Sequence, residues 1–113
     1  MSLIDLQHAD WDSMVTKAEG PVVVEFWHQS CPTCKRIEAA VHELPGKLAG
    51  KAKFTRLNVM ESKENRRLAI EKGVIGTPTF KVYCRGTEVG EVVGLETLTD
   101  LAGTIENILK GCA

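Results

Sequence analysis

The amino-acid sequence predicts an α/β fold with a central mixed β-sheet flanked by helices. Segments of strand and helix character follow one another in the order β-α-β-α-β-α-β-β-α, which builds parallel strand–helix–strand units. Val22 to Trp27 is apolar except for Glu25, as expected of a strand covered on both faces. Thr79 to Cys84 and Glu88 to Val93 flank Arg85-Gly86-Thr87, a hairpin signal that adds antiparallel pairs at the end of the sheet.

With 113 residues, 43% hydrophobic and 26% charged, the chain is expected to be one domain, 1–113, with a core of its own. A formal net charge of −1 gives no basis for binding nucleic acid or an anionic membrane. No apolar run approaches the roughly 18 residues that span a bilayer. Met1-Ser2-Leu3-Ile4-Asp5 has neither a basic nor an apolar leader segment. A cytoplasmic monomer is therefore the expectation, and in a reducing cytosol a cysteine pair beside a βαβ pattern reads as redox chemistry rather than a structural framework.

Leu3 to Leu6 reads as a short first strand. Asp10 to Ala18 places Trp11, Met14, Val15 and Ala18 on one helical face, and Gly20-Pro21 punctuates the chain before the strand Val22 to Trp27. A helix is predicted over Pro32 to Leu48, with Ile37, Ala40, Val41, Leu44 and Leu48 at helical spacing and a break near Glu43 caused by Pro45. Lys53 to Met60 reads as a strand. Glu61 to Lys72 reads as a surface helix closed by Gly73. After the hairpin, Thr97-Leu98-Thr99-Asp100 has a capping-box pattern that predicts the start of the last helix, which presents Leu98, Leu101, Ile105, Ile108 and Leu109.

The chemistry centres on Cys31-Pro32-Thr33-Cys34, where the buried strand hands over to a helix. Two thiols three residues apart in a first helical turn reach each other with little backbone movement. Cys31 falls at the N-cap and Pro32 at the first helical position, where its missing N–H is not needed. The sulfur of Cys31 then faces free amides, which favours its thiolate, and Lys35 adds positive charge. A thiol of pKa about 8.5 is only about 3% ionised at pH 7, whereas one near 7 is about half ionised. Cys31 is expected to attack and Cys34, one turn in, to resolve the mixed disulfide. The competing readings are an inert packed pair or half of a zinc site completed by Cys84, Cys112, His28 or His42. Helical placement and the lack of paired spacing disfavour zinc.

Glu25 is the second unusual residue. Burial raises a carboxyl's pKa, and below the dithiol it is placed to exchange a proton as Cys34 ionises. The alternative is an edge glutamate paired with a basic residue. Gly76-Thr77-Pro78-Thr79 opens a strand, and an X-Pro bond can adopt the cis form.

Over nearly its whole length the chain resembles the thioredoxin family. Its matching stretches are Val24-Glu25-Phe26-Trp27, Cys31-Pro32-Thr33-Cys34-Lys35, Arg56-Leu57-Asn58-Val59, Gly73-Val74-Ile75-Gly76-Thr77-Pro78-Thr79 and Val93-Gly94. The resemblance implies a thioredoxin fold, a nucleophilic Cys31, a resolving Cys34 and a cis bond before Pro78, which would lie against the disulfide. It puts Glu25 at the family's buried aspartate. It also implies a groove for substrate backbone at Trp27, Gly76, Thr77, Pro78 and Gly94. The implied activity is reduction of protein disulfides with no bound cofactor or metal, regenerated by a thioredoxin reductase-type electron donor. The alternatives are a glutaredoxin-like, glutathione-dependent reductase and a redox-regulated protein-binding module.

The sequence departs from the family pattern Trp-Cys-Gly-Pro-Cys by reading Ser30-Cys31-Pro32-Thr33-Cys34, which removes an aromatic lip and is closer to glutaredoxins and periplasmic oxidants. The expected reduction potential lies between the roughly −270 mV of thioredoxin and the roughly −200 to −230 mV of glutaredoxins. Arg56 stands where the family often has lysine and is expected to keep Glu25 ionised. Ala39 replaces the family's kink proline. Cys84 is expected to be a small half-buried residue, and Cys112 to lie exposed in a frayed tail. His8, His28 and His42 are too scattered to form a site, although His28 lies near the dithiol.

Overall fold

The computed structural model describes residues 2–112; Met1 and Ala113, the two ends of the expected 1–113 domain, lie outside the described residues. Strands β1 (Leu3–Leu6), β2 (Pro21–Trp27), β3 (Lys53–Asn58), β4 (Thr79–Cys84) and β5 (Thr87–Val93) form one sheet in the order β1-β3-β2-β4-β5. β1 and β2 run parallel to β3, and β4 runs antiparallel to both β2 and β5. Helices α1 (Pro32–Arg36), α2 (Glu38–Lys47), α3 (Lys63–Glu71) and α4 (Leu101–Leu109) flank it.

Alternate residues of each strand serve opposite faces. On one face Val23, Phe54, Phe80, Val82 and Val92 pack with Ile37, Val41 and Leu44 and with Leu101, Ile105 and Leu109 of α4. On the other, Val22, Val24, Phe26, Leu57 and Tyr83 pack with Trp11, Val15 and Ala69. β2 is thus paired on both edges and covered on both faces, as its apolar run predicts.

The Asp10 to Ala18 segment buries Trp11 and Val15 as expected but is not a regular helix. It consists of a 3-10 turn, His8–Asp10, and a single π turn, Asp12–Thr16. The Asp10 carboxylate accepts from the Gln7 amide (2.9 Å) and Asn65 Oδ1 accepts from the His8 amide (2.7 Å), which commits the start of the segment to a tight turn. Trp11 then stands edge-on to Tyr83 at 5.1 Å between ring centroids.

The break in the long helix lies at Ile37 (φ −96°, ψ 2°) and not near Glu43. Pro45 sits inside α2, in its last turn, so only one backbone bond is forfeited. The bend instead falls immediately before Glu38, whose carboxylate is held by Arg56 of β3.

β3 ends at Asn58, and α3 begins only after Ser62, whose hydroxyl caps the Asn65 amide at 3.0 Å. Gly73 (φ 81°) terminates the region as expected. Thr97 does not cap α4, because its hydroxyl donates to the Gly94 carbonyl (2.6 Å) inside a 3-10 turn, Gly94–Leu98. The N-cap is Asp100, which accepts from the Gly103 amide at 3.1 Å. The hairpin turns on Arg85 (φ 51°) and Gly86 (φ 84°), a pair of left-handed residues suited to a two-residue connection.

Cys84 and Cys112 are joined by a disulfide, with their Cα atoms 5.6 Å apart. Neither is the unpaired residue the sequence suggests. After α4 the chain turns back through Gly111 N to Ile108 O (2.9 Å) and Cys112 N to Leu109 O (3.0 Å), which returns the tail to the end of β4.

Two stability outcomes follow. A Cβ on Gly90 would stand 2.6 Å from Cγ2 of Ile108, a β-branched side chain with little rotamer freedom in a helix, so Gly90→Ala is expected to cost about 1–3 kcal/mol in urea unfolding. Cys112→Ser opens a loop of sequence separation 28 and is expected to lower the stability of the oxidised protein by roughly 3–4 kcal/mol. The same comparison made in dithiothreitol should show that difference vanish.

Candidate active site

β2 delivers the chain to the dithiol through His28-Gln29-Ser30. The Cys31 amide donates to the His28 carbonyl (3.3 Å) and the Ser30 amide to His28 Nδ1 (3.2 Å), so His28 folds the connection. Cys31 is the N-cap of α1 with extended backbone (φ −86°, ψ 113°), and Pro32 is at the first helical position. The Cys34 amide donates to Cys31 Sγ at 3.1 Å. The two cysteines form a disulfide with Cα atoms 5.2 Å apart, and both are buried, with exposures of 4% and 2%.

The Thr77–Pro78 bond is cis. The Gly94 amide donates to the Pro78 carbonyl (2.9 Å) and the Thr79 hydroxyl to the Gly76 carbonyl (2.6 Å). Gly76, Thr77, Pro78 and Gly94 are thereby gathered at one end of β4 and β5, and the 3-10 turn that Gly94 opens packs on α1. Gly94 holds φ 57°, a conformation that side chains resist. Ile75 and Leu95, next to Gly76 and Gly94, are 98% and 73% exposed. Nothing in the sequence singles them out, since an apolar residue carries no mark of its own exposure.

Glu25 points into the α1–α2 side of the sheet at 1% exposure. One of its oxygens, Oε1, accepts from Nε (3.0 Å) and lies 2.9 Å from Nη2 of Arg56. Its Oε2 is buried with no hydrogen-bond partner. Arg56 turns its fork to Glu38 instead, with Nη1 to Oε2 at 2.9 Å and Nη2 to Oε1 at 2.8 Å. The guanidinium also lies 4.0 Å from the centre of the Trp27 ring, a cation–π contact. His42 Nε2 lies 2.8 Å from Glu38 Oε2. Trp27, His28, Gln29, Cys34, Lys35 and Glu38 line a common cavity of about 280 Å³.

Burial pushes the Glu25 carboxyl up to about 7, against the opposing pull of Arg56 and with a further rise from the Glu38 charge. The hydrogen bonds from Arg56, aided by His42, hold Glu38 down at about 2 despite partial burial. With its midpoint at about 7, Glu25 is about half ionised at neutral pH, so Arg56 keeps it charged only in part, less than the sequence suggests, because its bidentate bond goes to a second carboxylate. Glu38 was legible in principle: in the helix predicted over Pro32 to Leu48 it falls four residues after Cys34, on that residue's face, and despite the break at Ile37 both line one cavity. Among the described residues no group of three or more His, Cys, Asp or Glu gathers as a metal site requires. Cys84 and Cys112 pair with each other instead of completing a zinc set.

A carboxyl that holds its proton more tightly when folded stabilises the protein at low pH and loses that contribution as pH rises through its folded midpoint. For Glu25, raised from 4.5 to about 7, the loss spans that interval and reaches about 3 kcal/mol. Glu25→Gln, which stays neutral, is expected to gain stability over the parent protein as pH rises from about 5 to 8, measured by urea unfolding at each pH. A constant difference across that range would refute the assignment.

Comparison with known proteins places this architecture. The profile of the Thioredoxin family matches residues 2–107. The chain is 36% identical over 100 residues to the chloroplastic M-type thioredoxin of Brassica napus, covering 88% of this chain and 55% of that one. It is 34% identical over 101 residues to a thioredoxin of Synechocystis sp., covering 89% and 92%. The chain thus spans about half the length of the chloroplastic relatives it matches. The crystal structure of thioredoxin f from spinach chloroplast superposes with a TM-score of 0.80 at 26% identity, over 95% of this chain and 86% of that one. No helix among the described residues is long and apolar enough to cross a membrane. The fold is the thioredoxin fold, and the chain belongs to the thioredoxin family.

Proposed function

We propose that the chain is a thiol–disulfide oxidoreductase that reduces protein disulfides through Cys31 and Cys34, working as one cytoplasmic, monomeric domain without a bound cofactor. The observation that carries the proposal is the Cys31–Cys34 disulfide, in which Sγ of Cys31 caps the first turn and accepts from the Cys34 amide. That hydrogen bond and the positive helix end favour an anionic sulfur at residue 31 once the pair is reduced.

In the forward reaction the Cys31 thiolate attacks one sulfur of the substrate disulfide. A mixed disulfide forms and the other substrate sulfur leaves as a thiolate. Cys34 then gives its proton to Glu25 and attacks Cys31 Sγ. This breaks the mixed disulfide, releases the second substrate sulfur as a thiolate and leaves the Cys31–Cys34 disulfide. The substrate gains two electrons from the dithiol, and protons from Glu25 and solvent complete its two thiols. An electron donor of the thioredoxin reductase type restores the dithiol. Trp27, Gly76, Thr77, Pro78 and Gly94 form the groove for substrate backbone, a reading supported by the gathering of Gly76, Thr77, Pro78 and Gly94 at one end of β4 and β5.

Cys31→Ser is expected to abolish insulin reduction. Cys34→Ser should arrest the reaction at a mixed disulfide visible by mass spectrometry. In the reduced parent protein, alkylation should reach Cys31 before Cys34; the reverse order would exchange their roles. Turnover supported by dithiothreitol or a thioredoxin reductase, but not by glutathione, is expected. Dependence on glutathione would assign the glutaredoxin-type activity, and absence of turnover with every donor would leave a binding module.

A further inference from the structure

The arginine beside Glu25 is shared unequally. Arg56 directs two nitrogens at the single oxygen Oε1 of Glu25 and gives Glu38 a bidentate fork. Glu25 Oε2, fully buried, is left with no partner. A carboxylate with both oxygens satisfied by a guanidinium has no reason to bind a proton, whereas one with a bare buried oxygen gains by protonating there. Glu38 also lines the same cavity as Cys34 and is partly exposed, whereas Glu25 is enclosed in the core.

We infer that Glu38 is a positioning residue for the proton step: by occupying the fork of Arg56 it leaves Oε2 of Glu25 free to carry the proton exchanged with Cys34. The inference rests on the proton-accepting role proposed above for Glu25. The charged and titratable groups around Glu25 come from each element packed against it. β3 supplies Arg56, and Asp5 of β1 is the cross-strand neighbour of that arginine. α2 supplies Glu38, with His42 bonded behind it. α1 supplies Cys34 and Lys35, which line one cavity with Glu38. β4 contributes only the apolar Phe80 opposite Glu25. Of these groups only Glu38 bonds to the nitrogens that would otherwise close on Glu25.

Removing the Glu38 charge releases the fork toward Glu25, which favours the ionised form of the buried carboxyl. In Glu38→Gln the titration midpoint of Glu25, followed by the carboxyl carbon resonance, is expected to move down by about one pH unit. The midpoint of the pH profile for release of the mixed disulfide should move with it. Glu38→Asp, too short to span both nitrogens but still charged, should fall between the two; it also serves if the glutamine variant fails to fold. An unmoved Glu25 resonance in folded Glu38→Gln or Glu38→Asp overturns the inference while leaving the role of Glu25 intact, provided Glu25→Gln flattens the release profile. A Glu25 midpoint that moves while the release profile stays in place overturns both the proton role of Glu25 and the contribution of Glu38 to it.

Discussion

β2 has no contact with solvent along its middle. It is hydrogen-bonded to β3 on one edge and β4 on the other, and a layer of side chains covers each face. Any polar group placed there must find its partners inside the protein or bear the cost of desolvation. Glu25 is such a group, and much of the site is organised around that constraint. The parallel register that sets Glu25 opposite Arg56 brings a guanidinium to it, and the guanidinium in turn requires more acceptors than one buried oxygen supplies. Glu38 and the face of Trp27 complete its surroundings.

Such an arrangement contributes little net stability. Desolvating a carboxylate and a guanidinium offsets most of their attraction, and the unpartnered Oε2 adds a further cost unless it holds a proton. In the function proposed above, what the arrangement achieves is control over where a proton rests. In the interior the weaker dielectric strengthens each interaction, so the division of one arginine between two acids decides which holds its proton more tightly. Glu38, partly exposed and doubly bonded, takes the charge; Glu25, enclosed and bonded through one oxygen, is raised to about 7 and is poised between its two forms.

The first disulfide opens α1 and shares a cavity with Glu38, and the second disulfide lies at the end of β4 away from Pro78. Thr79 follows the cis Pro78 bond at one end of that strand and Cys84 closes the other, tied to the returning tail. The two ends of β4 therefore have different tasks. Near Pro78 the backbone is irregular and held by single hydrogen bonds to the Gly76 and Gly94 loops. At Cys84 the strand is anchored covalently, and α4 is drawn against β5 so closely that Gly90 has no room for a side chain.

Most of the fold and the dithiol itself were legible in the chain, because they rest on patterns local in sequence. The apolar run at Val22–Trp27, the hairpin signal at Arg85-Gly86-Thr87, of which the turn uses only Arg85 and Gly86, and the placement of Cys31-Pro32 at a helix start each express a preference of a few consecutive residues. Failures occurred where a distant group outbid such a preference. Asn65 and Asp10 turned the predicted first helix into tight and wide turns, the Gly94 carbonyl took the hydroxyl of Thr97 from its capping role, and Glu38 turned inward after the bend at Ile37 rather than near Pro45. Local patterning thus determined the order of strands and helices and the position of Cys31 and Cys34 at a helix start. The pairing of Cys84 with Cys112 and the division of Arg56 between two carboxylates were decided only in three dimensions, since each depends on residues far apart in the chain that meet through sheet register and helix packing.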